Sequence, residues 1–233
     1  MCMPSFSKYK LLFIDADDTL YDFTQCERNA LIKTYREFSV DPLEEHIDKY
    51  HTYNKKLWKD LEKGLVNQNE IKHERFRLLV EDRKWPVNFM DMSLQYIRNI
   101  SEERILMNDA EDVCNYLHQK YTLIMLTNGI SEIQRGRFEP SVIRKYFSKL
   151  VISDEACCSK PDPGIFEWAL QDTAFSDSDK KEMLIIGDNL SSDIQGGINF
   201  GIDTCWLNPN GTPSIELRPS YEIRNLMDLK KML

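Results

Sequence analysis

Residues 10–22 read KLLFIDADDTLYD, a short apolar run that passes straight into Asp15, Asp17 and Asp18. An uninterrupted apolar stretch of this length, closed by polar residues, is the pattern of a strand buried on both faces. Further runs at residues 121–126, 149–153, 183–186 and 204–207 have the same character, each bounded by Gly, Asp, Asn or Ser. Helical patterns lie between the last four. In one, Ala110, Val113, Leu117 and Tyr121 recur every three or four residues behind an acidic start at Asp109. In another, Pro161 and Pro163 precede Ile165, Phe166, Ala169 and Leu170. Strands alternating with helices predict an α/β fold with a doubly wound, Rossmann-like parallel sheet.

Residues 22–100 break the alternation. They read as consecutive amphipathic helices over 23–38, 43–62, 67–82 and 87–99, punctuated by Asp41-Pro42, Gly64 and Trp85-Pro86. A helical block inserted after the first strand predicts a cap domain of residues 21–100 over the sheet's carboxyl edge. The catalytic core is then residues 1–20 and 101–233. Hinges near Tyr21 and Ile100 would let such a cap open and close.

Composition narrows the setting. With 42% apolar and 29% charged residues, the 233-residue chain has the balance of a globular protein, and a net charge of −8 without a basic patch argues against a nucleic acid polymer as partner. The start, MCMPSFSKYK, lacks the apolar segment of a leader, and no apolar run is long enough to span a bilayer. A cytoplasmic monomer or homodimer is expected. The six cysteines include no C-x-x-C pair, so neither zinc nor a disulfide framework is expected, and Cys157 and Cys158 read as half-buried thiols. The glycines of GGINFG (196–201) read as close helix packing ended by Gly201, rather than as a nucleotide loop.

The chemistry gathers at strand ends. Asp15 to Thr19 follow the first strand, and Thr127-Asn128-Gly129 the second. Ser159-Lys160-Pro161 come after the third, and Gly187-Asp188-Asn189 with Asp193 after the fourth. In an open parallel sheet these ends share one edge, where carboxylates crowded together need a cation. An all-oxygen donor set favours Mg2+, with Lys160 and the Thr127 hydroxyl completing an anion cradle beside it. Thr19 either caps the next helix or supports this site.

The stretches DADDTL, TNG, KP and GDNLSSD resemble, in order and spacing, the four motifs of the haloacid dehalogenase-like superfamily, and the insertion resembles its C1-type cap. The resemblance covers nearly the whole chain. It implies a phosphatase of small phosphate monoesters in which Asp15 is the nucleophile and Asp17 the general acid and base. Thr127, Asn128 and Lys160 would bind phosphate. Mg2+ would be held by Asp15, Asp188 and the backbone carbonyl of Asp17, with Asp193 orienting Lys160 or a metal-bound water. Many relatives carry Gly at the position of Asp18, whose side chain is expected to face solvent or cap a turn. Dehalogenases of the superfamily do not need the second acid, and phosphomutases keep it. A non-enzymatic phospho-receiver would lack both that acid and the cap.

A finer resemblance joins DADDTLYDF, YNKKLWKDLEKG, HERF, GDNLSSDIQGGINFG and TCWLN to the YjjG-type pyrimidine 5'-nucleotidases. It implies a nucleoside monophosphate as substrate. Within the cap, Asn54, Trp58 and Arg75 are candidate readers of the nucleoside. Trp58 could stack on a base, but with Tyr50, Tyr53, Leu57 and Leu61 at helical spacing it reads more simply as packing. His73 reads as a surface or packing residue.

Overall fold

The computed structural model describes residues 8–62, 65–214 and 216–233; Cys2 and Gly64 lie outside the described residues. Six parallel strands form one sheet: β1 (Leu11–Ile14), β2 (Thr122–Thr127), β3 (Lys149–Ile152), β4 (Met183–Gly187), β5 (Asp203–Leu207) and β6 (Tyr221–Ile223). Their order across the sheet is β3-β2-β1-β4-β5-β6. The chain therefore winds outward on one side from β1, then returns to β1's other side with β4. Ligands of such sheets bind where this reversal opens the carboxyl edge. The register pairs Ile14 with Ile186, so Asp15 and Asp188 emerge from adjacent strands.

Both sheet faces are covered, which is why the strands read as continuous apolar runs. Leu11, Phe13, Ile124, Leu126, Met183 and Ile185 share one core cluster with Phe166, Phe200 and Ile202. Phe13 meets Phe166 edge-on at 5.3 Å between centroids, and Phe166 stacks on Phe200 at 5.0 Å. The alternate residues Leu12, Ile14, Leu123, Met125, Leu184 and Ile186 are equally buried on the opposite face.

Ten α-helices accompany these strands among the described residues, with a few shorter helical turns: α1 (Phe23–Glu37), α2 (Glu44–Glu62), α3 (Gln68–Arg83), α4 (Phe89–Glu102), α5 (Ala110–Leu117), α6 (Ser131–Phe138), α7 (Ser153–Ala156), α8 (Gly164–Leu170), α9 (Gln195–Phe200) and α10 (Leu229–Met232). The described residues divide into two compact units, one within 8–22, 106–131 and 140–233, the other within 23–105 and 132–139. In the second, α1 packs on α4 and α3 on both α2 and α4, around Tyr50, Phe76 and Tyr96, whose rings lie 5.1 to 5.6 Å apart. Asn67 starts α3 through a reciprocal cap with Glu70, and the Asn88 side chain accepts from the amides of Met90 and Asp91 to start α4. Both asparagines thus stand outside the helices rather than within them.

Three sequence readings change. Asp109 sits at the N-cap of α5 with φ 65° and makes no side-chain cap bond; Glu111 and Asp112 supply the acidic first turn. Cys157 is exposed, at φ 54° after α7, because a left-handed residue ends that single turn and turns the thiol outward; Cys158 is half-buried as expected. The edge strand β6 was not read from sequence.

Gly201 ends α9 at φ 84°, and the two glycines inside the helix allow close packing as read. At Gly197 a Cβ would stand 2.5 Å from Thr204 Cγ2 and 2.6 Å from Ile185 Cγ2. Gly197→Ala should therefore destabilise the protein by about 1–3 kcal/mol, measured by urea unfolding, because the sheet cannot retreat without opening its core. A change below about 0.5 kcal/mol would show that α9 is free to shift.

Candidate active site

Lys160 organises the strand ends. Its ammonium is almost fully buried and donates to Asp15 Oδ1 at 2.5 Å and to the Leu126 carbonyl at 2.7 Å, and lies 2.6 Å from Asp193 Oδ1. Its backbone is clamped by Asn128: the Asn128 amide donates to the Lys160 carbonyl at 2.7 Å, and the Lys160 N–H donates back to Asn128 Oδ1 at 2.8 Å. Asn128 thus holds the lysine in place. Thr127 is buried at the end of β2, beside it in sequence.

Asp15 is buried just past β1, its amide bonded to the Ile186 carbonyl at 2.9 Å. Burial raises its carboxyl well above the ordinary range, and the nearby Asp193 and Asp188 add to this while Lys160 opposes it. Asp188 is pushed up to about 7, first by burial and then by Asp193 and Asp18. Burial alone would lower the Lys160 ammonium, yet Asp15 and Asp193 more than offset it and hold it above the usual lysine value.

Oxygens of Asp15, Asp188 and Asp193 lie within 4.8 Å of one another. Three carboxylates thus face one ammonium, and the excess negative charge together with the all-oxygen donor set fits a hard divalent cation. Asp193 has other duties: its Oδ2 accepts the Asn189 N–H at 3.0 Å while Oδ1 meets Lys160. Gly187 makes room for it, since a Cβ there would stand 2.3 Å from Asp193 Oδ2. The donors left for a metal are chiefly Asp15 and Asp188.

Thr19 is fully buried, and its hydroxyl donates to Asp188 Oδ1 at 3.3 Å, so it supports the acid instead of capping a helix. Asp17 is half-buried, bridges to Tyr21 and stands outside the three-carboxylate cluster. Asp18 takes φ 55°, a left-handed conformation that Asp tolerates and Gly adopts freely. It is only half-exposed, and it lines an open groove of about 570 Å³ with Asp188, Asn189 and Trp206. The Trp206 indole, which donates to the Asp188 carbonyl at 2.7 Å, escaped sequence reading. Its signals were its place next to the last residue of a predicted strand and its presence in the TCWLN stretch.

The cap candidates lie in the helical unit. Arg75 is only 2% exposed, so it does not stand ready at the surface. Its Nη1 donates to Asn54 Oδ1 at 3.1 Å, and its guanidinium sits 4.9 Å from the Tyr96 ring centre, with Tyr50 and Phe76 also near. Asn54 donates in turn to Glu27 Oε1 at 3.3 Å, which also accepts from the Tyr96 hydroxyl at 3.2 Å. Trp58 is half-buried, with Leu57 and Tyr50 more deeply packed nearby on α2. His73 pairs with the Ser93 hydroxyl at 2.9 Å, a packing role.

The chain belongs to the haloacid dehalogenase-like hydrolases, whose family model matches residues 9–201. Among its relatives, the pyrimidine 5'-nucleotidase PynA of Streptococcus pneumoniae R6 is 35% identical over 224 residues, covering 95% of this chain and 93% of that protein. The pyrimidine 5'-nucleotidase YjjG of Escherichia coli K12 is 32% identical over 232 residues, covering 97% and 98%. A crystal structure of the HAD-hydrolase YfnB of Bacillus subtilis, described as bound to magnesium and revealing interdomain movement, matches with a TM-score of 0.89 at 31% identity, covering 97% of this chain and 99% of that one. Among the described residues no helix is long and apolar enough to cross a membrane.

In the helical unit, His51 Nδ1 lies 3.2 Å from Glu27 Oε2. That bond raises the imidazole above its ordinary value of 6.5, against the opposing effect of partial burial. Because the folded state holds this proton more tightly than the unfolded chain, the contact stabilises below pH 6.5 and is lost as pH rises through the raised folded value. His51→Gln should therefore lower the urea midpoint more at about pH 5.5 than at about pH 8.5. Equal loss at both would show that the Glu27 contact carries no charge.

Proposed function

We propose that this hydrolase is a magnesium-dependent phosphatase of small phosphate monoesters, nucleoside 5'-monophosphates above all, working through an aspartyl-phosphate on Asp15. The observation that carries this is the placement of Asp15, buried 2.5 Å from the Lys160 ammonium and beside Asp188 at the reversal of strand order. The nucleotide assignment is supported by the two nucleotidases at 32% and 35% identity.

In this reading an oxygen of Asp15 attacks phosphorus, and the bond to the ester oxygen breaks. Asp17 gives that leaving oxygen its proton. Water then attacks the same phosphorus while Asp17 takes a proton from that water, the bond between phosphorus and the Asp15 oxygen breaks, and inorganic phosphate and free Asp15 result. Lys160 fixes one oxygen of the nucleophile and offsets the charge of the incoming phosphoryl group. Asp193 and Asn128 keep that lysine from wandering. Asp15 and Asp188, with the Asp17 carbonyl, would hold magnesium, whose charge supplies electrostatic stabilisation of the phosphoryl oxygens when bound.

The test is phosphate release from UMP, dUMP and dTMP set against sugar phosphates. Release should require Mg2+ and stop with EDTA, and nucleotides should be the better substrates. Asp15→Asn should lower kcat by roughly 10⁴-fold with unchanged circular dichroism, because the amide keeps the shape but is a poor nucleophile. Activity that persists in EDTA, or in the Asp15→Asn protein, would refute the mechanism.

A further inference from the structure

One peptide plane in the site is gripped at both ends. The carbonyl of Asp188 accepts the Trp206 indole N–H at 2.7 Å, and the N–H of Asn189, the other end of the same amide, donates to Asp193 Oδ2 at 3.0 Å. The first grip comes from β5 and the second from the carboxylate that also meets Lys160. Rotation of this plane would move the Asp188 side chain and disturb Asp193 together.

The sheet explains why a side chain is needed. The ladder between β4 and β5 ends at the pair Gly187 and Trp206, so the next carbonyl, that of Asp188, lies beyond the last register pair. A carbonyl at that point needs a donor from outside the ladder. Trp206 is only 5% exposed and carries a single donor that packing holds in one place. The helical turn beyond, Leu190–Ile194, is capped by Asn189, whose side chain accepts the amides of Ser191 and Ser192 and whose carbonyl accepts the Asp193 N–H at 2.9 Å. Asp188 sits at the junction between this self-contained turn and the strand.

We infer that Trp206 is a positioning residue for the cation site: its indole N–H, through the Asp188 carbonyl, sets the Asp188 carboxylate where it shares a metal with Asp15. The inference rests on the proposed magnesium-dependent reading and adds a residue outside the four motifs. Groups that orient metal ligands from behind commonly govern affinity by about 10- to 100-fold.

The experiment is calorimetric titration of Mg2+ into the full chain and its Trp206→Phe variant, without substrate. The variant should bind Mg2+ roughly tenfold or more weakly. A Trp168→Phe control should bind as the parent does, since that ring lies under Lys149 at the amino end of β3. Should Trp206→Phe not fold, the parent protein decides. On Mg2+ titration its Trp206 indole N–H resonance should shift and saturate with the calorimetric affinity, while that of Trp168 stays put. Affinity in a folded Trp206→Phe protein within about twofold of the parent, or an indole resonance indifferent to Mg2+, would overturn the positioning role and leave the phosphatase reading standing. A parent protein that binds no Mg2+ at all would overturn both.

Discussion

A buried ammonium held against two buried carboxylates is the constraint on which the rest of this site depends. Lys160 lies 2.5 Å from Asp15 and 2.6 Å from Asp193, with its third direction directed at the Leu126 carbonyl. Desolvating such charges costs several kcal/mol per ion, and only close geometry with further hydrogen bonds makes the arrangement tolerable. Hence the supporting contacts: Asn128 clamps the lysine backbone, and Gly187 gives up its side chain so that Asp193 can sit beneath β4. Breaking one partner would strand the others.

That arrangement still leaves negative charge in excess. Asp188 is the residue where the excess shows, its carboxyl pushed to about 7 by burial and by Asp193 and Asp18. A site with negative charge in excess in this way is poised for a cation, and the proposed chemistry uses one to admit the phosphoryl group. The fold supplies the convergence cheaply. Reversal of strand order puts β1 beside β4, so two acids 173 positions apart in the chain emerge from neighbouring strands.

Much of this could be read from the chain because strands buried on both faces leave uninterrupted apolar runs: β1, β2 and β4 are nearly all of that kind, and β3 and β5 are buried toward their carboxyl ends. The strand β6 is three residues long at the sheet edge and carries Glu222 at its centre, so no apolar run marks it. The acids were legible because they lie just past strand ends, and Lys160 because it lies beyond the third strand, and parallel strands present their carboxyl ends together. Hydrogen bonds between distant backbone and side-chain atoms leave no such trace. Nothing in the spacing told that Asn128 would clamp Lys160 or that Trp206 would reach Asp188. The burial of Arg75 left no trace in the sequence either: an aromatic box of Tyr50, Phe76 and Tyr96 with Asn54 as partner encloses it.

The most direct measurement is to quench the enzyme during turnover of a nucleoside monophosphate, reduce it with borohydride and map the modified peptide by mass spectrometry. Reduction of an acyl phosphate converts the aspartate side chain to that of homoserine. That conversion is expected at residue 15, dependent on substrate and Mg2+. Homoserine at another position, or none under conditions where phosphate is being released, would contradict it.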